Sequence, residues 1–159
     1  MNEYIQLRRA FHSMFCDIEA DLFVTLTTYP GCEISNETML SKLRKLDAYV
    51  ARRTLGRRWS KKPDSVRMNG VFVLEHGKQR NHPHWHGMLS IPNGEIPRYR
   101  GLIDNAWTRN NRWSAHFDNP NSSNEQSDWS SYILKDFRPE LTGQIVFTNM
   151  LRGDTRASA

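Results

Sequence analysis

Apolar positions recur along this chain with two periods, and the changes of period mark its elements. Tyr4, Leu7, Phe11, Met14 and Ile18 fall at helical spacing and predict an amphipathic helix over residues 3–20. The segment 22–28 is almost wholly apolar or β-branched, which predicts a strand in the middle of a sheet. Ser35 or Asn36 caps a second helix with Met39, Leu43, Leu46 and Val50 as its buried stripe, and Gly56 closes it. Residues 71–76 and 84–91 read as two strands of a hairpin, joined by the polar stretch 77–81. Pro97 opens a third helix whose apolar face is Leu102, Ile103, Ala106 and Trp107. Residues 113–118 alternate as a half-buried strand, and 119–124 form a polar loop. Ser127 caps a fourth helix, 127–137, which turns Trp129, Ile133 and Phe137 to the core; 144–148 is a last strand. Strands separated by helices around one tight hairpin predict an α+β sandwich: a central antiparallel sheet of about five strands with helices packed on one side.

The chain has 159 residues, enough for a single domain with a real core. The N-terminal helix would occupy 1–20, the core 22–150, and a flexible tail 151–159. Apolar residues make up 38% and charged residues 25%, an ordinary soluble composition. The net charge of +5 and pI of about 9.5 fit either a phosphate-rich partner or a generic basic surface. Cys16 and Cys32 form no Cys-x-x-Cys pair and read as reduced thiols, which predicts a cytoplasmic protein. No stretch has the apolar core of a signal peptide or the roughly 20 apolar residues of a membrane span, so no membrane partner is expected.

The chemistry concentrates at His82-Pro83-His84-Trp85-His86, three histidines in five residues. Side chains alternate across a strand, so His84 and His86 share a face and Trp85 takes the other. Two imidazoles so placed can hold one divalent cation. If 77–82 form the loop, Leu74 pairs with Trp85 and Glu75 lies opposite His84. Opposed side chains sit about 4.5–5.5 Å apart at Cβ, which lets Glu75 complete a two-histidine, one-carboxylate site. A slip of one residue would instead bring in His76. The third ligand stays open between Glu75 and His82.

On the fourth helix Tyr132 and Lys135 are three residues apart and share a face. A phenol with a free pKa of about 10 becomes a nucleophile near neutral pH only with a cation, a base or a polarised target beside it. Arg57-Arg58-Trp59-Ser60-Lys61-Lys62 is basic with one aromatic. It reads either as a solvated loop or as a phosphate-contacting arm with Trp59 free to stack on a base.

Taken together, Phe23-Val24-Thr25-Leu26-Thr27, His84-Trp85-His86 and Tyr132-Ile133-Leu134-Lys135 resemble, in order and context, the three motifs of the HUH endonucleases, specifically the single-tyrosine rolling-circle replication initiators. The resemblance covers about residues 22 to 137. It implies a five-stranded antiparallel sheet with helices packed against it, and Mg²⁺ or Mn²⁺ held by the two histidines and a third polar ligand. It implies that the tyrosine attacks a DNA phosphodiester, stays bonded to the 5′ phosphate and releases a 3′ hydroxyl that primes replication, with the lysine assisting at the phosphate. Glu75 falls where many relatives place an acidic ligand. The expected substrate is single-stranded or extruded origin DNA, with Arg57, Arg58, Trp59, Lys61, Lys62, Lys78, Arg80, Arg98 and Arg100 as candidate contacts. No nucleotide-binding Gly-x-x-x-x-Gly-Lys loop occurs, so a separate helicase and polymerase are expected partners, in a plasmid, phage or mobile element of a prokaryote.

The chemistry is coherent without the resemblance. A cation on a non-bridging phosphate oxygen neutralises charge that builds at phosphorus. Imidazoles suit Mn²⁺ better than Mg²⁺, so tighter Mn²⁺ binding is expected. Three alternatives compete: an HUH transposase or relaxase, a non-catalytic single-strand binder, and a two-histidine, one-carboxylate oxygenase or metallohydrolase. The transposases usually pair their tyrosine with glutamine, and the relaxases place theirs near the N-terminus. The oxygenase has no use for the basic surplus or the Tyr–Lys pair.

Overall fold

The hairpin fixes the middle of the structure. The computed structural model of the chain describes residues 2–29, 31, 33–77, 82–109, 112–120, 123–136 and 138–152. In chain order the elements are α1 (Glu3–Cys16), β1 (Leu22–Thr27), α2 (Asn36–Leu55), β2 (Asn69–His76), β3 (Pro83–Ser90), α3 (Ile96–Thr108), β4 (Ser114–Asp118), α4 (Ser123–Ile133) and β5 (Ile145–Phe147), with short 3₁₀ turns between them. The strands form one five-stranded antiparallel sheet in the order β4-β1-β3-β2-β5. The β2–β3 register pairs Leu74 with Trp85 and Glu75 with His84, as the parity of the sequence predicts. β1 lies inside the sheet, in keeping with its apolar run.

Alternation sorts the strands into two buried faces. Leu22, Val24, Leu26, Phe72, Leu74, Trp85 and Leu89 pack beneath α2 and α3. Phe23, Val71, Val73, Met88 and Ile145 pack beneath α1 and α4. Helices therefore cover both faces, not one as the sequence reading has it. The continuous apolar runs of β1 and β2 are the signature of a doubly covered sheet.

Ser35 accepts the Thr38 amide at the start of α2, and Gly56 ends it at φ 76°. Met39, Leu43, Leu46 and Val50 are all buried as expected. Trp85 and Trp107 donate their indole N–H groups to the Met39 and Thr27 carbonyls, which ties α2 and α3 to the sheet. At the other end, Arg152 forks onto Asp47 at 3.0 and 3.2 Å and reaches Asp64 at 2.9 Å. That pairing gives Arg152 a fixed place where a frayed tail is expected from the sequence.

Three boundaries differ from expectation. α1 stops at Cys16 and leaves Met14 47% exposed, outside the contact face. α4 starts at Ser123, so Ser127 lies within the helix and not at its cap. The same helix ends at Ile133, which places Lys135 in the turn beyond it; Phe137 lies outside the described residues. Cys16 is a free thiol, and Cys32 is outside the described residues. Among the described residues no helix is long and apolar enough to cross a membrane.

Gly87 shows how closely β3 packs. A Cβ there would lie 2.6 Å from Phe72 Cε1 and 2.7 Å from Val24 Cγ1. Gly87→Ala is expected to cost about 1–3 kcal/mol by overpacking. A lower urea midpoint at unchanged slope measures it.

Candidate metal centre and nucleophile

The site lies on the α1/α4 face, at the end of the sheet where β2 leads into the hairpin loop. Strand parity puts Glu75, His84 and His86 on this face, and register sets them side by side. Their donor atoms all lie within 4.8 Å of one another. His86 Nε2 is 2.9 Å from Glu75 Oε2, and His84 Nε2 is 3.5 Å from the same oxygen. Neighbouring donors about 2.1 Å from an octahedral cation stand roughly 3 Å apart, close to the two distances from Glu75 Oε2, so the set is compatible with a divalent metal.

Thr25 completes the arrangement from β1. Its hydroxyl lies 3.1 Å from His86 Nδ1. With Nε2–H donating to Glu75, Nδ1 accepts from Thr25; once Nε2 gives its lone pair to a metal, Nδ1–H can donate to the same hydroxyl. Thr25 lies within a quoted motif, yet the sequence assigns it no role. The β1–β3 register that joins it to His86 spans distant segments and has no local signal.

Burial tunes the donors. His86 is 4% exposed, and its imidazole is pushed down to about 4, first by burial and then by the charge of His84, against the pull of Glu75. His84 is lowered for the same leading reason. Burial would raise the Glu75 carboxyl, but the hydrogen bond and charge of Lys135, with the two imidazoles, hold it below its ordinary value. At neutral pH the set is two neutral imidazoles and one carboxylate, the form a cation needs.

A pH dependence follows for the metal-free protein. The folded state keeps His86 neutral down to about 4, whereas the unfolded chain takes up a proton near the ordinary value of 6.5. Stability is therefore full above pH 6.5 and falls as pH drops towards 4. His84 and Glu75 shift in directions that add to the loss. Urea unfolding in chelator at the two ends of that window is expected to differ by on the order of 2 kcal/mol.

α4 brings the nucleophile candidate over the triad. Tyr132 is 46% exposed, its ring centroid 5.5 Å from that of His86 and edge-on to it. Trp129 supports it: the two rings stack at 5.8 Å, and Trp129 stacks in turn on Phe23 at 4.9 Å. The sequence reads Trp129 only as core, but it is also the bed on which Tyr132 lies. Lys135 Nζ sits 3.9 Å from the Tyr132 ring centroid and 3.1 Å from Glu75 Oε1. Burial works against its charge, but Tyr132 and Glu75 outweigh it and keep the ammonium protonated. Lys135 thus joins the triad to the tyrosine, although it leaves the helix to do so.

His82 stands outside the donor set. Its ring centroid is 6.0 Å from that of His84, and its buried Nδ1 has no hydrogen-bond partner among the described residues. Of the two candidate third ligands, Glu75 is the one that converges with the histidines. His76 turns away to Asn36, at 3.0 Å. A cavity of about 440 Å³ opens beside Glu75 and Lys135, lined also by Ile133, Arg138 and Gln144.

Those candidate DNA contacts that fall among the described residues lie away from this site. Arg57, Arg58, Trp59, Lys61 and Lys62 follow α2 and precede the Asn69 end of β2. Along β2, Asn69 is about 20 Å from Glu75 at a strand rise of 3.3 Å per residue. The Arg67 guanidinium lies 5.5 Å from the Trp59 ring centroid, so a base could stack there only in place of that cation. Arg98 pairs with Glu95 at 3.0 Å, and Arg100 lies over the Phe117 ring at 5.2 Å; both are on α3, in the layer away from the triad. Lys78 and Arg80 are outside the described residues. Comparison with protein-family models, with curated proteins and with solved structures finds no match to the chain.

Proposed function

We propose that the chain is a metal-dependent, site-specific single-strand DNA nickase of the HUH single-tyrosine type, which initiates rolling-circle replication. One observation carries the reading: a convergent Glu75/His84/His86 donor set with an exposed tyrosine 5.5 Å from His86, between centroids, and a lysine that touches both. The order of the three motifs in the sequence supports it.

Glu75, His84 and His86 would hold Mn²⁺ or Mg²⁺, and the bound cation supplies Lewis-acid neutralisation of the phosphate oxygens. Tyr132 forms the new bond from its phenolic oxygen to phosphorus as the bond from phosphorus to the 3′ oxygen breaks. The phenol proton leaves to solvent, and the departing 3′ oxygen takes one up. The products are a 5′-phosphotyrosine and a free 3′ hydroxyl, and the retained phosphodiester permits strand transfer or resealing. Lys135 places a positive charge beside the tyrosine, where the phosphate enters. The cavity lined by Arg138 and Gln144 has room for a flanking nucleotide.

The test is direct. The protein is incubated with end-labelled single-stranded DNA and Mn²⁺, run on a denaturing gel, and the adduct is mapped by digestion. A labelled peptide containing Tyr132 is the expected result. Label that never joins the protein, over a broad set of sequences that includes the cognate origin, would remove the proposal.

A further inference from the structure

We propose that the outer surface of α2 is a second nucleic-acid site, separate from the metal centre, which holds a single strand through its phosphates and admits its bases to two aromatic-walled cavities. The first cavity, about 420 Å³, lies between α2 and α3. Lys42, Lys45, Arg52 and Arg109 line it together with Tyr49 and Trp113, and among the described residues no carboxylate does. Lys42 Nζ is 5.3 Å from the Trp113 ring centroid, and the Arg109 and Arg53 guanidinium carbons are 5.0 and 5.4 Å from that of Tyr49. Each aromatic thus holds a cation that a phosphate can draw off, leaving the ring to a base.

The second cavity, about 880 Å³, shares Ala48 with the first, so the two adjoin along α2. Arg44, Lys61, Lys62 and Arg67 line it beside Trp59. Its carboxylates, Asp47 and Asp64, are both engaged by Arg152. Arg67 is 5% exposed, has no carboxylate at ion-pair distance among the described residues, and its buried Nε has no hydrogen-bond partner there. Asp47 and Asp64 attract Arg67 without pairing with it, and an incoming phosphate would give its unpartnered Nε an acceptor. Alternating cations and aromatics over adjoining cavities are what a flexible strand needs; a rigid duplex cannot turn its bases into them.

This surface lies on the layer opposite the triad, so it grips DNA outside the reacting phosphate. It would bind whether or not the protein cuts, and its test needs no metal. Binding of a mixed-sequence oligonucleotide long enough to cross both cavities is followed by fluorescence anisotropy in chelator. Lys45→Glu with Arg52→Glu, both at exposed positions, is expected to weaken binding about ten-fold or more and to flatten the log–log salt slope by about 1.4, for two lost phosphate contacts. Arg44→Glu with Lys62→Glu at the second cavity is expected to do the same. Arg8→Glu with Arg9→Glu on α1 makes the same charge change and is expected to shift affinity by no more than about two-fold. Equal losses from the α1 and α2 pairs, or no loss from either α2 pair in protein of unchanged melting temperature, would overturn the site. Tighter binding of duplex than of single strand would overturn the choice of ligand.

Discussion

Tyr132→Phe is expected to eliminate the covalent protein–DNA adduct and to leave the rest of the molecule as it was. The substitution removes one oxygen. The ring keeps its stack on Trp129, its edge contact with His86 and the ammonium of Lys135 above it. The position is 46% exposed, so stability should stay within about 0.5 kcal/mol. Metal affinity should hold within about two-fold, because the three converging donors, Glu75, His84 and His86, are all retained. Denaturing gels measure the adduct, and calorimetric Mn²⁺ titration measures the metal. An adduct that survives would place the bond on another side chain. Undiminished nicking without an adduct would make water the nucleophile and turn the site into a metallohydrolase.

His86→Ala should disable the other half of the site. The residue is the most enclosed of the three donors, with 5% of its side chain exposed against 13% for His84 and 17% for Glu75. Loss of an outer-shell partner of a metal ligand typically costs about 10–100-fold in affinity, so loss of the ligand itself should cost more than about 100-fold. Adduct formation should fall at least as far at fixed Mn²⁺, and excess Mn²⁺ should restore part of it. The fold should survive, because Trp85 and Met88, on either side of it in β3, carry the packing. Mn²⁺ affinity unchanged in this variant would remove the triad as the metal centre. Loss of binding together with loss of structure would be separated by His84→Ala, at a less buried position.

The hairpin was legible because its information is local. A loop of known length and the parity of two strands place Glu75 opposite His84 with no knowledge of the rest. The α2 caps were legible for the same reason. The start of α4 was not: Ser123, Asn124 and Glu125 carry no apolar periodicity to mark it. Cover on the second sheet face was implied by the unbroken apolar runs of β1 and β2, but nothing in them says which helices supply it. Thr25 escaped because its partner is set by long-range pairing. The basic loop after Gly56 is legible for its charge but not for its place, since composition carries no address within the fold.

Glu75 gives the two halves of the site a common mooring. One oxygen faces the imidazoles at 2.9 and 3.5 Å while the other faces Lys135 at 3.1 Å. The chain beyond α4 is thereby tethered to the same residue that faces both imidazoles. A carboxylate has one negative charge to share, and drawing it towards the histidines slackens the line to the lysine. A cation held by the triad would draw that charge away from the ammonium, so one side chain would couple the two halves of the site.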